Sequence, residues 1–238
     1  MDMKIAGSGS ITPGEYENIR VSGSGKICGP VRCRSLHASG SVFAEGEIFC
    51  EEEIHVSGSG RFRGNLQAGE FHAAGSAHVD GDLIVTGEAK AAGSFRCDGG
   101  IRAGVLHLAG GIRVEKDAEA EEAKISGGFY CGGLLNAERV ELRTDGGMDI
   151  GSIGGSVIRV QWESRGWNLR NLFRRNHKGT VTVRGAIEGD DILLECVNVP
   201  RVSGRAVVIG ENCNIDLVQY SETVEISPGS RVGRTEKI

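Results

Sequence analysis

Leu36-His37-Ala38-Ser39-Gly40 returns as Ile54-His55-Val56-Ser57-Gly58, and again as Phe71-His72-Ala73-Ala74-Gly75. The same phrase stands earlier as Ile19-Arg20-Val21-Ser22-Gly23 and later as Leu106-His107-Leu108-Ala109-Gly110. One glycine anchors each unit: Gly7, Gly23, Gly40, Gly58, Gly75, Gly93, Gly110 and Gly127. Successive anchors therefore lie 16, 17, 18, 17, 18, 17 and 17 residues apart. So short a unit cannot bury a core of its own. It must be one turn of a solenoid, whose core exists because neighbouring turns stack.

The columns of this alignment say what each turn is made of. Four positions before the anchor stand Ile19, Leu36, Ile54, Phe71, Ala89 and Leu106; two before it stand Val21, Ala38, Val56, Ala73, Ala91 and Leu108. Four after it stand Ile27, Ala44, Phe62, Val79, Cys97 and Val114; eight after it stand Val31, Ile48, Leu66, Leu83 and Ile101. Apolar and polar positions alternate with a period of two, which is the strand pattern. A second glycine column six residues after the anchor (Gly29, Gly46, Gly64, Gly81, Gly99, Gly133, with Lys116 the exception) marks another corner. The drift between 17 and 18 falls in stretches such as Cys50-Glu51-Glu52-Glu53-Ile54, a looser third corner. Three strands and three corners per turn make an all-β, single-stranded parallel β-helix of triangular coils. Each coil rises by roughly 4.8 Å.

Composition agrees. Glycine supplies 38 of 238 residues and proline 4, so the chain is neither collagen-like nor a proline-rich linker. No run is long and apolar enough for a transmembrane helix, and residues 1–7 lack the apolar segment of a signal peptide. Seven cysteines without a Cys-x-x-Cys fit a reducing, cytoplasmic setting. Cys97 and Cys131 share one inward column and Cys33 and Cys50 another, so they read as small core hydrophobes rather than metal or redox groups. A net charge of −5 does not suggest a general nucleic-acid binder, and no nucleic acid is expected as a partner.

The regular register covers residues 1–162 and fades after Thr144. Residues 163–178 break it, and 179–238 resume alternation less regularly, as in Val181-Thr182-Val183 and Val224-Glu225-Ile226. The expectation is one continuous domain of roughly 10–12 coils with one insertion. Residues 159–178 hold six basic residues and only Glu163 acidic, leaving −10 for the rest of the chain. Arg165, Trp167, Leu169, Arg170, Leu172, Phe173, Arg174 and Arg175 combine charge with apolar side chains at roughly helical spacing. Such a segment can dock on an anionic membrane surface or a partner, or pack on the solenoid flank.

No catalytic constellation stands out. Gly23-Ser24-Gly25-Lys26 fails as a phosphate loop: the pattern needs glycine at Arg20 and Ser or Thr at Ile27, and no helix follows. Neither G-x-S-x-G nor H-E-x-x-H occurs. We therefore expect no enzyme activity, no catalytic or metal residues, and no cofactor. Three positions before the anchor runs a basic column: Lys4, Arg20, His37, His55, His72, Lys90, His107 and Lys124. It points outward between two inward columns, and no carboxylate interrupts it. Imidazole titrates near pH 6.5, so acidification should charge this face and loosen an assembly by repulsion in register.

With its aliphatic-basic-x-small-glycine coils, the chain resembles the bactofilins, clearly over residues 5–150. That resemblance implies a right-handed β-helix and nucleotide-independent, end-to-end assembly into non-polar filaments. It further implies a scaffold beneath the membrane, serving shape, polarity, motility or envelope synthesis, with itself, a paralogous bactofilin, the membrane surface or membrane-associated proteins as partners. The residues point the same way: the repeat begins at Ile5 with no capping element before it, so Ile5 and Ile11 are expected at a polymer end contact. The rival is a left-handed β-helix acyltransferase, whose coils are also triangular. The 17/18 drift breaks its strict hexapeptide count, and His177 is the nearest candidate for a general base outside the column.

Overall fold

The computed structural model describes residues 1–144, 147–162 and 180–238. These residues form 22 strands, β1 to β22, joined by parallel pairings. They form two compact units, Met1–Ala120 and Glu121–Ile238.

In the first unit the columns of the sequence become physical stacks. Ile5 pairs with Val21, Val21 with Ala38, Ala38 with Val56, Val56 with Ala73, Ala73 with Ala91 and Ala91 with Leu108. This is the column two before the anchor, carried through six consecutive ladders. The inward side chains close into one apolar core: Ile19, Ile27, Leu36, Ile54, Phe62 and Leu66 are each 0% exposed. Phe71 and Phe95 meet there as a tilted pair with ring centroids 5.6 Å apart, the geometry that ring quadrupoles favour.

The looser third corner is visible as well. Between the strands Val31–Ala38 (β5) and Ile48–Val56 (β7), Cys33 pairs with Cys50 but Ser35 with Glu53. One extra residue is thus absorbed as an irregularity at the expected place. At the anchor corner glycine is required by close approach. A Cβ on Gly58 would lie 2.1 Å from the Gly40 carbonyl oxygen, and one on Gly40 would lie 2.1 Å from that of Gly23. Those carbonyls accept hydrogen bonds from the N–H groups of Ser59 and Ser41. Backbone stacks on backbone here, with no room for a side chain.

The second unit holds Met148–Trp162 (β17), Val181–Val183 (β18), Ala186–Leu194 (β19), Val197–Ile209 (β20), Asn214–Ile226 (β21) and Arg231–Lys237 (β22). Ile158 pairs with Ile192, Ile192 with Val207 and Val207 with Val224. Met148 pairs with Val181, so the ladder resumes on the far side of residues 163–179. The described residues make about 13 turns, more than the 10–12 read from sequence. The excess arises where glycine anchors fail but coils persist at shorter steps, such as the 15 residues from Ile192 to Val207. Arg231–Lys237 (β22), a mostly polar stretch, pairs with β21.

Candidate functional site

The first unit's coils carry functional side chains as ladders, because a parallel register repeats whatever each outward position holds. The basic column is one. His37 and His55 stack with ring centroids 5.9 Å apart and planes 20° apart; His55 and His72 follow at 6.2 Å and 24°. Their ladder partners are direct: His37 pairs with His55 and His55 with His72. All four column histidines are half-buried rather than fully outward, whereas Lys4, Arg20, Lys90 and Lys124 are exposed.

Carboxylates do stand beside these imidazoles, contrary to the sequence reading. Glu53 Oε1 lies 3.2 Å from His37 Nε2, Glu70 Oε2 lies 3.2 Å from His72 Nε2, and Glu88 Oε1 lies 2.6 Å from His107 Nδ1. They occupy the column two residues earlier, which a strand aims to the same face. Aligning positions five before the anchor (Asn18, Ser35, Glu53, Glu70, Glu88) would have found them. A carboxylate thus stands beside three of the four column histidines.

A second face carries the positions just after the anchor. Ser8, Ser24, Ser41, Ser59, Ser76 and Ser94 form an exposed hydroxyl ladder. Beside it runs a staircase of ion pairs between basic residues and carboxylates of the same or the next coil. Lys26 meets Glu45 at 3.0 Å, Arg61 meets Asp80 at 3.5 Å, and Arg96 meets Asp98 at 2.6 Å and Glu115 at 2.9 Å. The Arg113 hydrogen bond holds the Glu115 carboxyl below its ordinary range. At Asp98 partial desolvation works upward, but hydrogen bonds from His78 and Arg96 win and the pKa is lowered. Exposed pairs of this kind contribute about 0–1 kcal/mol each, so the staircase sets register more than stability.

The cysteines are where the column reading placed them. Six are buried and Cys28 alone is exposed. Cys33 and Cys50 stack with their sulfurs 2.8 Å apart; that contact, then burial, pushes the Cys50 thiol up. Burial pushes Cys97 up to about 12. A thiol must ionise to react, so a chromogenic disulfide reagent should titrate one sulfhydryl in the native protein and seven after denaturation. Two or more fast-reacting thiols in the native state would contradict this packing.

Ile5 is 7% exposed and Ile11 is fully buried. Both side chains thus serve the core, and an aspartate at Ile11 would test coil stability before any end contact. Arg165, Trp167, Leu169, Arg170, Leu172, Phe173, Arg174 and Arg175 lie outside the described residues, as does His177. Among the described residues no helix is long and apolar enough to cross a membrane.

Comparison with known proteins adds the following. Residues 1–84 match the bactofilin family, described as polymer-forming cytoskeletal. The uncharacterized protein YhbF of Bacillus subtilis (strain 168) is 30% identical over 107 residues, 44% of this chain and 42% of that protein. The uncharacterized protein YhbE of the same strain is 30% identical over 107 residues, 44% of each chain. The match thus spans less than half the length of these curated relatives. No solved structure matches. The stacked glycine corners and in-register β-coils lie within the matched segment, and over residues 1–84 the chain is similar to the bactofilins.

Proposed function

We propose that this protein is a non-enzymatic scaffold that assembles with itself or with a paralogue, end to end and without nucleotide. The observation that carries the reading is the constant register of the first unit. Each coil offers its neighbour the same backbone ladder and the same side-chain columns, so a coil of a second copy can continue the stack. Among the described residues Met3–Ile5 (β1) pairs only with Gly14–Val21 (β3), and Ser8–Ile11 (β2) only with Ser24–Ile27 (β4). Unpaired parallel edges are templates for association, and head-to-head contact would make the resulting filament non-polar. The cytoskeletal family match supports this reading over an acyltransferase.

We place the assembly in the cytoplasm beneath the membrane, where it would support shape, polarity, motility or envelope assembly. The basic and aromatic run from Arg165 to Arg175 is the candidate contact with anionic lipid.

Purified protein, free of nucleotide, should form filaments or protofilaments in negative-stain electron microscopy and should sediment. A uniform monomer at high concentration would overturn self-assembly; a closed trimer would favour the acyltransferase. In the same assay anionic vesicles should retain the protein, and the Trp167→Ala/Phe173→Ala variant should release it. Equal retention of wild type and variant would remove the membrane role.

A further inference from the structure

We propose that His78, Asp80 and Asp98 bind a first-row divalent transition metal ion, with Zn²⁺ the fitting case. The inference does not depend on assembly. His78 lies in Ser76–Val79 (β11) with Asp80 just beyond it, and Asp98 follows Glu88–Cys97 (β13). Val79 pairs with Cys97, so the next residues of the two coils, Asp80 and Asp98, are stacked. Like charges directly opposite each other destabilise a ladder. Something must compensate two carboxylates set there.

Arg61 and Arg96 pair with the outward oxygens, and His78 alone faces the two inner ones. Its Nε2 lies 3.0 Å from Asp98 Oδ2 and 3.3 Å from Asp80 Oδ1. A neutral imidazole has one N–H to give, and a hydrogen bond forms to Asp98. Asp80 Oδ1 is shielded from solvent yet accepts no hydrogen bond. A buried acceptor left so is costly. With the imidazole proton moved to Nδ1, one cation facing Nε2 would satisfy all three atoms at once.

The spacing suits that exchange. The three donor atoms lie within 4.8 Å of one another. Zinc bonds to nitrogen and oxygen ligands of about 2.0–2.2 Å set neighbouring donors roughly 3–3.5 Å apart, close to the two distances above. The outward oxygens are already held. Arg96 Nε donates to Asp98 Oδ1 at 2.6 Å, and the Arg61 guanidinium lies 3.5 Å from Asp80 Oδ2. Such outer contacts orient carboxylate ligands. One imidazole with two carboxylates fits zinc or its first-row neighbours better than magnesium or calcium, which prefer all-oxygen sites. The three side chains remain 27–33% exposed, leaving a path for the ion and positions for water. Arg61 and Arg96 reduce the local negative charge, so the affinity should be micromolar rather than that of a structural zinc site.

The test is calorimetric titration of chelator-treated full-length protein with ZnCl₂. A Cys28→Ser background removes the exposed thiol as a competing ligand. One saturable equivalent is expected. His78→Ala and Asp98→Asn should weaken it at least about tenfold, while His55→Ala, in the other column, should leave it unchanged. Co²⁺ provides a second readout: its visible absorption should show nitrogen and oxygen coordination and should change in His78→Ala. Circular dichroism would establish that each variant is folded. Absence of saturable binding, retention of wild-type affinity by folded His78→Ala, or equal loss in His55→Ala would overturn the site.

Discussion

Gly58→Val should lower the thermal midpoint of the Met1–Ala120 unit by about 10 °C, corresponding to roughly 3 kcal/mol. A Cβ at this position meets the Gly40 carbonyl oxygen at 2.1 Å and the Ser39 carbonyl oxygen at 2.9 Å. Neither is the end of a flexible side chain. Both are backbone, and the Gly40 carbonyl accepts the Ser59 N–H at 3.0 Å. Relief therefore requires two coils to separate at a corner, at the expense of the hydrogen bond that joins them. Neighbouring glycines repeat the contact, so the disturbance cannot be passed on to a looser turn. Gly111→Ser is the matched control. It lies one residue after an anchor, where other coils carry serine, and a Cβ there meets nothing within 4 Å. Its stability should stay within about 0.5 kcal/mol of wild type. Differential scanning calorimetry would decide; equal midpoints for Gly58→Val and wild type would refute backbone contact as the reason for glycine.

Phe62→Ala should cost about 3–5 kcal/mol. The side chain is 0% exposed and belongs to a column in which its neighbours are Ile27, Ala44, Val79, Cys97 and Val114. Its ring fills the space that a side chain on Gly60 would need, since a Cβ there would lie 2.8 Å from the Phe62 ring. Removing the ring leaves a cavity that a glycine neighbour cannot fill. The stacked coils cannot close it without breaking ladders above and below. Phe43 supplies the contrast: it is half-exposed on the outward side of its strand, with the Arg63 guanidinium 5.1 Å from the ring centroid. Phe43→Ala should cost about 1 kcal/mol or less. Comparable losses from the two substitutions in urea unfolding would show that inward and outward columns are not distinct.

Much of this was legible in the chain itself. Gly23, Gly40, Gly58 and Gly75 recur because backbone must approach backbone at that corner, and a recurring constraint leaves a recurring letter. The apolar columns are as plain, because strand alternation sends every second side chain to the core. Arg231–Lys237 was harder: its strand has little apolar content to announce it, and its order comes from pairing with the coil before. The same limit hid the shortened steps after Ile187, where the period persists without its glycine marker.

Side-chain partners across coils were the least readable. Glu53 and His37 are 16 residues apart, and His78 and Asp98 are 20 apart. Neither spacing equals the period, because each contact joins different columns of adjacent coils. The sequence by itself determined the period, the strand content, the inward columns and the corners that exclude side chains, since these follow from local geometry repeated along the chain. Only the tertiary structure decided which outward groups meet. That depends on the register between stacked coils, where one extra residue at a corner shifts a carboxylate towards or away from its histidine.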